Sequence, residues 1–184
     1  MLMLVIHPQD RTTAVLDILY RGMEPRLIDQ QTSNADLRHI LNHVPRSERI
    51  MLLGHGSENG LFSREDDSSP DFDRIIVGHP HAYYLRQHGG NMVGIWCNAV
   101  DFARREGLHG LFTGMIISDK QEAESYGIIT LQHIIERSNE IMFARLRGLL
   151  DEATPLSEIP LRMQALNDSH LLVDMFNYER FFYL

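Results

Sequence analysis

Along the chain, short unbroken apolar runs alternate with stretches in which apolar residues recur at helical spacing. Met1-Leu2-Met3-Leu4-Val5-Ile6, Ile50-Met51-Leu52-Leu53, Met92-Val93-Gly94-Ile95-Trp96 and Leu111-Phe112-Thr113-Gly114-Met115-Ile116-Ile117 are the runs. Their length and continuity predict strands covered on both faces. Leu27-Ile28 and Ile75-Ile76-Val77 add two smaller strands. Between the strands, Asp10 stands as an N-cap ahead of Val15, Ile18, Leu19 and Gly22, a helix ending near Gly22. Ser33-Asn34-Ala35-Asp36 has the form of a capping box before Leu37, Ile40, Leu41 and Val44. Pro80 suits the first position of a helix running toward His88 and closed by Gly89-Gly90. Ala99 to Glu106 is helical and ends at Gly107, and Ser118-Asp119-Lys120-Gln121 caps another helix. Leu131, Ile135, Met142, Leu146, Leu149 and Leu150 define a long amphipathic helix. The stretch 57–73 is polar, acidic and rich in Ser and Asp, which reads as a long surface loop.

Strands alternating with helices imply an α/β fold with a mostly parallel sheet and helices on both faces. Residues 1–150 hold this pattern and form one expected domain. Residues 151–184, punctuated by Pro155 and Pro160, form an expected C-terminal extension. Its aromatic end, Met175, Phe176, Tyr178, Phe181, Phe182 and Tyr183, needs cover from the domain or from a second subunit, so a homodimer contact is one expectation.

Composition narrows the function classes. The chain has 184 residues, 43% hydrophobic and 23% charged, as in an ordinary globular protein. Its formal charge of -8 argues against nucleic acid, whose binding depends on phosphate neutralisation, and against an anionic membrane surface. No apolar run approaches the roughly 20 residues a bilayer requires. The opening apolar run lacks a basic leader and stops at His7-Pro8, short of a signal peptide. With one cysteine, Cys97, no intrachain disulfide forms, and the expected compartment is the reducing cytoplasm.

In parallel sheets, sites form at the carboxyl ends of strands. Two of the predicted strands end in chemically capable residues, Gly54-His55-Gly56 and Cys97-Asn98-Ala99, about one crossover unit apart. A thiolate attacks a carbonyl carbon, and an imidazole protonates the departing amine and then activates water. The amide of Gly56, with no side chain beside it, and the amide of Cys97 are the candidate donors to a developing oxyanion.

An apolar strand ending in His-Gly, followed by a second ending in Cys, resembles the caspase-like cysteine peptidases of clan CD. That group includes caspases, gingipains, clostripain-type enzymes and separase. The strings Met51-Leu52-Leu53-Gly54-His55-Gly56-Ser57 and Gly94-Ile95-Trp96-Cys97-Asn98-Ala99 carry the likeness, which looks closest to small bacterial members and spans roughly residues 1–150. The resemblance implies a three-layer sandwich around about six strands. It implies Cys97 as nucleophile, His55 as general acid and base, and the Gly56 and Cys97 amides as oxyanion hole. It requires no cofactor or metal, and the substrate is a peptide or protein. The family's polar or acidic residue two places before the nucleophile is here Ile95. A charged substrate preference would therefore come from Asp119, Glu122 or the acids of 57–73, and that acidity favours a basic side chain. Asn98, His79 and His81 are further candidates to line the groove.

Two rival readings stand beside this one. Cys97 and His55 are a buried thiol and a loop histidine if the fold serves as a non-catalytic interaction protein. Alternatively His79, His81 and His88, with Asp71 or Asp73, form a metal hydrolase site, although solvated histidines explain that cluster as simply. Ser57 lacks a nucleophile elbow, and no phosphate or dinucleotide loop is present.

Overall fold

Alternating side chains along each strand explain the architecture. In a computed structural model, which describes residues 3–64 and 72–184, Met3, Val5, Met51, Leu53, Val93, Ile95 and Leu111 point to one face of a sheet. Leu4, Ile6, Ile50, Leu52, Met92 and Phe112 point to the other, and all are buried. Both faces of a sheet whose strands are apolar throughout must be covered.

The strands are β1 (Met3–Ile6), β2 (Arg26–Ile28), β3 (Arg49–Leu53), β4 (Gly56–Ser57), β5 (Gly60–Ser63), β6 (Arg74–Val77), β7 (Met92–Ile95), β8 (Gly110–Thr113) and β9 (Phe181–Tyr183). Six of them form the main sheet in the order β2-β1-β3-β7-β8-β9. The first five run parallel and β9 runs antiparallel to β8. The helices are α1 (Asn34–His43), α2 (His79–Leu85), α3 (Ala99–Glu106), α4 (Lys120–Ser125), α5 (Gln132–Asp151), α6 (Ile159–Leu166) and α7 (Leu172–Tyr178). Leu37 and Leu41 of α1, Leu85 of α2 and Phe102 of α3 cover one face. Met142, Phe143 and Leu146 of α5 and Met163 of α6 cover the other. The protein is an α/β fold with a mostly parallel six-stranded sheet. No helix among the described residues is long and apolar enough to cross a membrane.

Several elements differ from the sequence expectation. The helix expected after Asp10 is a short 3-10 helix, Ala14–Leu19. The Asp10 carboxylate draws the amides of Thr12 and Thr13 into a tight turn, at 2.8 and 3.0 Å, in place of a regular N-cap. The expected loop 57–73 holds β5 and the end of β4, which with β6 form a second sheet ordered β4-β5-β6, pinned by the fully buried Leu61. Residues 65–71, part of that expected acidic loop, lie outside the described residues. Asp119 and Glu122, not Ser118 and Gln121, form the capping box of α4. The strand read as Leu111 to Ile117 stops at Thr113, because Ile117 is taken by side chains. Its N–H donates to Asn177 Oδ1 at 2.9 Å, and its carbonyl accepts from Asn139 Nδ2 at 2.9 Å and Asn177 Nδ2 at 3.0 Å. Residues 151–184 bring the last strand of the main sheet, so the sheet straddles the expected boundary at 150.

Candidate functional site

β3 and β7 are neighbours in parallel register, with Leu53 opposite Ile95. The residues that follow them therefore emerge together at the carboxyl edge of the sheet, and His55 and Cys97 line one cavity. Thr12 and Thr13, from the turn after β1, line it as well. Three consecutive strand ends in the sheet thus meet at one place, as open parallel sheets favour.

Local devices fix each member. The β7–β8 ladder ends at Gly94, but the Thr113 hydroxyl extends it: Oγ1 accepts from Trp96 N at 3.1 Å and donates to Trp96 O at 2.8 Å. Trp96 is thereby held just ahead of Cys97. Asn98 follows in the left-handed region, at φ 65° and ψ 28°, and turns the chain into α3. Asn tolerates that conformation better than most side chains. The cysteine stands at the tip of a strand–turn–helix junction. Its Sγ lies 3.8 Å from the carbonyl oxygen of Ile116, to which the thiol donates. Among the described residues its N–H has no protein acceptor.

His55 is anchored by groups that the motif did not reveal. Its Nε2 lies 2.6 Å from Thr12 Oγ1 and 3.2 Å from Asp10 Oδ2. The Thr12 hydroxyl spends its proton on Asp10 Oδ1 at 2.7 Å, and an ionised carboxylate can only accept. Nε2 must therefore carry the ring proton of neutral His55, leaving Nδ1 as the basic nitrogen. Phe72 packs on the ring, with centroids 5.1 Å apart, and Arg64 Nε sits 3.2 Å from Asp10 Oδ2.

Burial disfavours charge on Asp10, yet hydrogen bonds from His55, Thr12 and the Thr13 amide prevail and hold its carboxyl well below the usual carboxylate range. Burial pushes the Cys97 thiol up to about 11, and the negative charges of Glu122 and Asp119 act in the same direction. Behind Asp10, His7 is fully buried at the end of β1, with Nδ1 3.0 Å from the Tyr20 hydroxyl. Burial pulls its imidazole down to about 4.

The other candidates separate. Ile95 lines the cavity. Gly56 does not, and a Cβ there would run into the Trp96 ring edge and the Gly60 carbonyl oxygen. Trp96 Nε1 donates to Ser57 O at 3.0 Å, so packing against Trp96 explains the glycine. Asn98 faces a different depression, with Met115 and Arg180. Asp119 and Glu122 are close enough to act on the thiol, but both are committed to the cap of α4: Glu122 Oε2 accepts from Ser118 N at 2.7 Å, and Asp119 Oδ1 from Glu122 N at 2.9 Å.

His79 and His81 do not reach the groove. His79 Nδ1 pairs with Glu106 Oε2 at 2.9 Å, at the end of α3 remote from Cys97, about 12 Å along the helix axis. His81 is buried and accepts from Gly78 N at 3.2 Å. His88 is buried elsewhere, so the three imidazoles do not converge. Among the described residues no group of three or more His, Cys, Asp or Glu side chains is arranged to hold a metal ion. Asp71 lies outside the described residues.

The residues that sequence reasoning missed are Asp10, Thr12 and Asn139. Asp10 had been assigned to a helix cap, and its Asp-x-Thr-Thr setting was the available signal for a carboxylate poised at a strand end. No family model, curated protein or solved structure matches this chain.

Proposed function

We propose that the protein is a cysteine endopeptidase of caspase-like type that cleaves peptide bonds through an acyl-enzyme. One observation carries the reading: Cys97 and His55 end adjacent parallel strands and line the same cavity, while Asp10 from the neighbouring strand end fixes the imidazole tautomer. The six-stranded, mostly parallel sheet and its helical cover agree with the architecture that the resemblance implies.

With Nε2 engaged by Thr12 and Asp10, proton exchange falls to Nδ1. Because the resting thiol is strongly protonated, His55 takes its proton as sulfur attacks the carbonyl carbon. The C–S bond forms, and the carbonyl electron pair moves to oxygen, where the Cys97 N–H is the donor. Collapse breaks the C–N bond, and the amine leaves with the proton from His55. Water then attacks the thioester, giving its proton to His55. The C–S bond breaks, the carboxylate product departs and the thiol regains its proton. Asp10 stabilises the imidazolium formed in each half-reaction.

The raised thiol and its burial favour the second reading, a non-catalytic interaction protein with an inert cysteine. A peptide library from digested proteome, incubated under reducing conditions and read by mass spectrometry, separates the two. New peptide ends are expected with the wild type and none with Cys97→Ala. Equal patterns for both proteins would overturn the peptidase reading.

A further inference from the structure

The cavity that Cys97 opens onto has a chemistry that the catalytic argument does not use. Its apolar lining includes Val15, Leu16, Ile95, Trp96, Ile116 and Phe143, drawn from the 3-10 helix Ala14–Leu19, from β7 and the residue after it, from the segment after β8 and from α5. The polar groups among these walls are neutral and already spent inside the protein. Thr13 Oγ1 accepts from Asp10 N at 3.3 Å, and Ser118 Oγ donates to Glu122 at 2.9 Å. Asn139 donates to the Ile117 carbonyl and accepts from Asn177 Nδ2 at 2.9 Å.

The nearby acids are equally committed. Asp10 serves His55, while Asp119 and Glu122 serve the start of α4. Among the described residues, no ionisable side chain other than His55 and the Cys97 thiol lines the cavity. Its volume is about 50 Å³. About 10–15 Å³ of such space takes one water, so the cavity admits a side chain of a few heavy atoms. A charged side chain placed there would lose its hydration without gaining a partner.

In a peptide whose carbonyl sits over Cys97, the side chain one bond from that carbonyl is the one that meets this cavity. We infer that the site selects an uncharged side chain of modest size on the acyl side of the cleaved bond, with Ile95 and Ile116 as residues that bound it. This rests on the peptidase reading above.

Peptidyl acyloxymethyl ketones, identical except for Ala, Leu, Asp or Arg next to the ketone, test it on the full chain. In each, sulfur bonds to the methylene carbon, the carboxylate leaves with the C–O electron pair, and the thiol proton passes through His55 to solvent. Adduct formation at Cys97, followed by intact mass, is expected to be at least about tenfold faster for the Ala and Leu probes than for the Asp and Arg probes. Ile116→Ala is expected to raise the Leu rate relative to Ala, with Val15→Ala as the second enlargement should the first variant not fold. Faster labelling by Asp or Arg than by Ala and Leu would overturn the uncharged-residue assignment and leave the peptidase standing. No labelling by any probe, while iodoacetamide still alkylates Cys97, would overturn both.

Discussion

Asp10 and His55 are bound through one nitrogen, Oδ2 to Nε2 at 3.2 Å, and this pairing decides which nitrogen of the ring is basic. Asp10→Asn removes the charge that stabilises the imidazolium but keeps an oxygen for the amides of Thr12 and Thr13. On the peptidase reading the loss in kcat is about 10²–10⁴, and because native hydrogen bonds favour the ionised Asp10 carboxylate, Tm is expected to fall as well. Steady-state rates beside thermal melts check it. Nitrogen NMR of the imidazole supplies a direct reading: in the wild type the proton is expected on Nε2, and in the variant both tautomers are expected.

Gly56 answers to Trp96. A methyl group there meets the indole edge and the Gly60 carbonyl, and the carbonyl cannot rotate out of the way. Gly56→Ala is expected to cost about 1–3 kcal/mol, as overpacking does, and to lower Tm. Trp96 fluorescence should shift with it, since the indole N–H to Ser57 bond lies at the same contact.

His7 sets an acid limit on stability. Its imidazole is pulled from 6.5 down to about 4 in the folded protein, so protons bind the unfolded chain more tightly. The stabilisation is fully present above pH 6.5 and is lost as pH falls toward 4, a change of about 3 kcal/mol. Asp10 adds a further loss below its unfolded value of 3.8. Denaturant melts between pH 7 and 4 should show this slope, and His7→Gln should flatten it whatever its effect at pH 7.

Much of the fold was legible because buried parallel strands announce themselves as continuous apolar runs. β3 and β7 stand within a residue of where Ile50–Leu53 and Met92–Trp96 predict them, and α3 runs from Ala99 to Glu106 as its pattern requires. His55 and Cys97 were legible for the same reason, since each follows such a run directly. Asp10 was not, because its side chain caps amides two and three residues on, a signal shared by helix starts and by tight turns. β5 was hidden because its apolar pair, Leu61-Phe62, is only two residues long and stands between glycine and polar positions. Asn139 and Asn177 were hidden for another reason. Asn139 lies on a helix whose apolar periodicity dominates the reading, Asn177 lies within the aromatic run of the C-terminal extension, and their shared partner, Ile117, is distant in the chain.

β9 carries a consequence for how the molecule reaches this state. Its partner β8 lies far earlier in the chain, and Gly110 and Leu184 exchange hydrogen bonds at 3.1 and 3.0 Å to complete the ladder. Gly114, just beyond β8, also donates to Arg180 O at 2.9 Å. A pairing of such high contact order closes slowly, because loop entropy is lost before the contacts repay it. Until it closes, β8 is an unpaired edge, so the kinetics of refolding, and with them the exposure to aggregation, are governed by when the last strand docks.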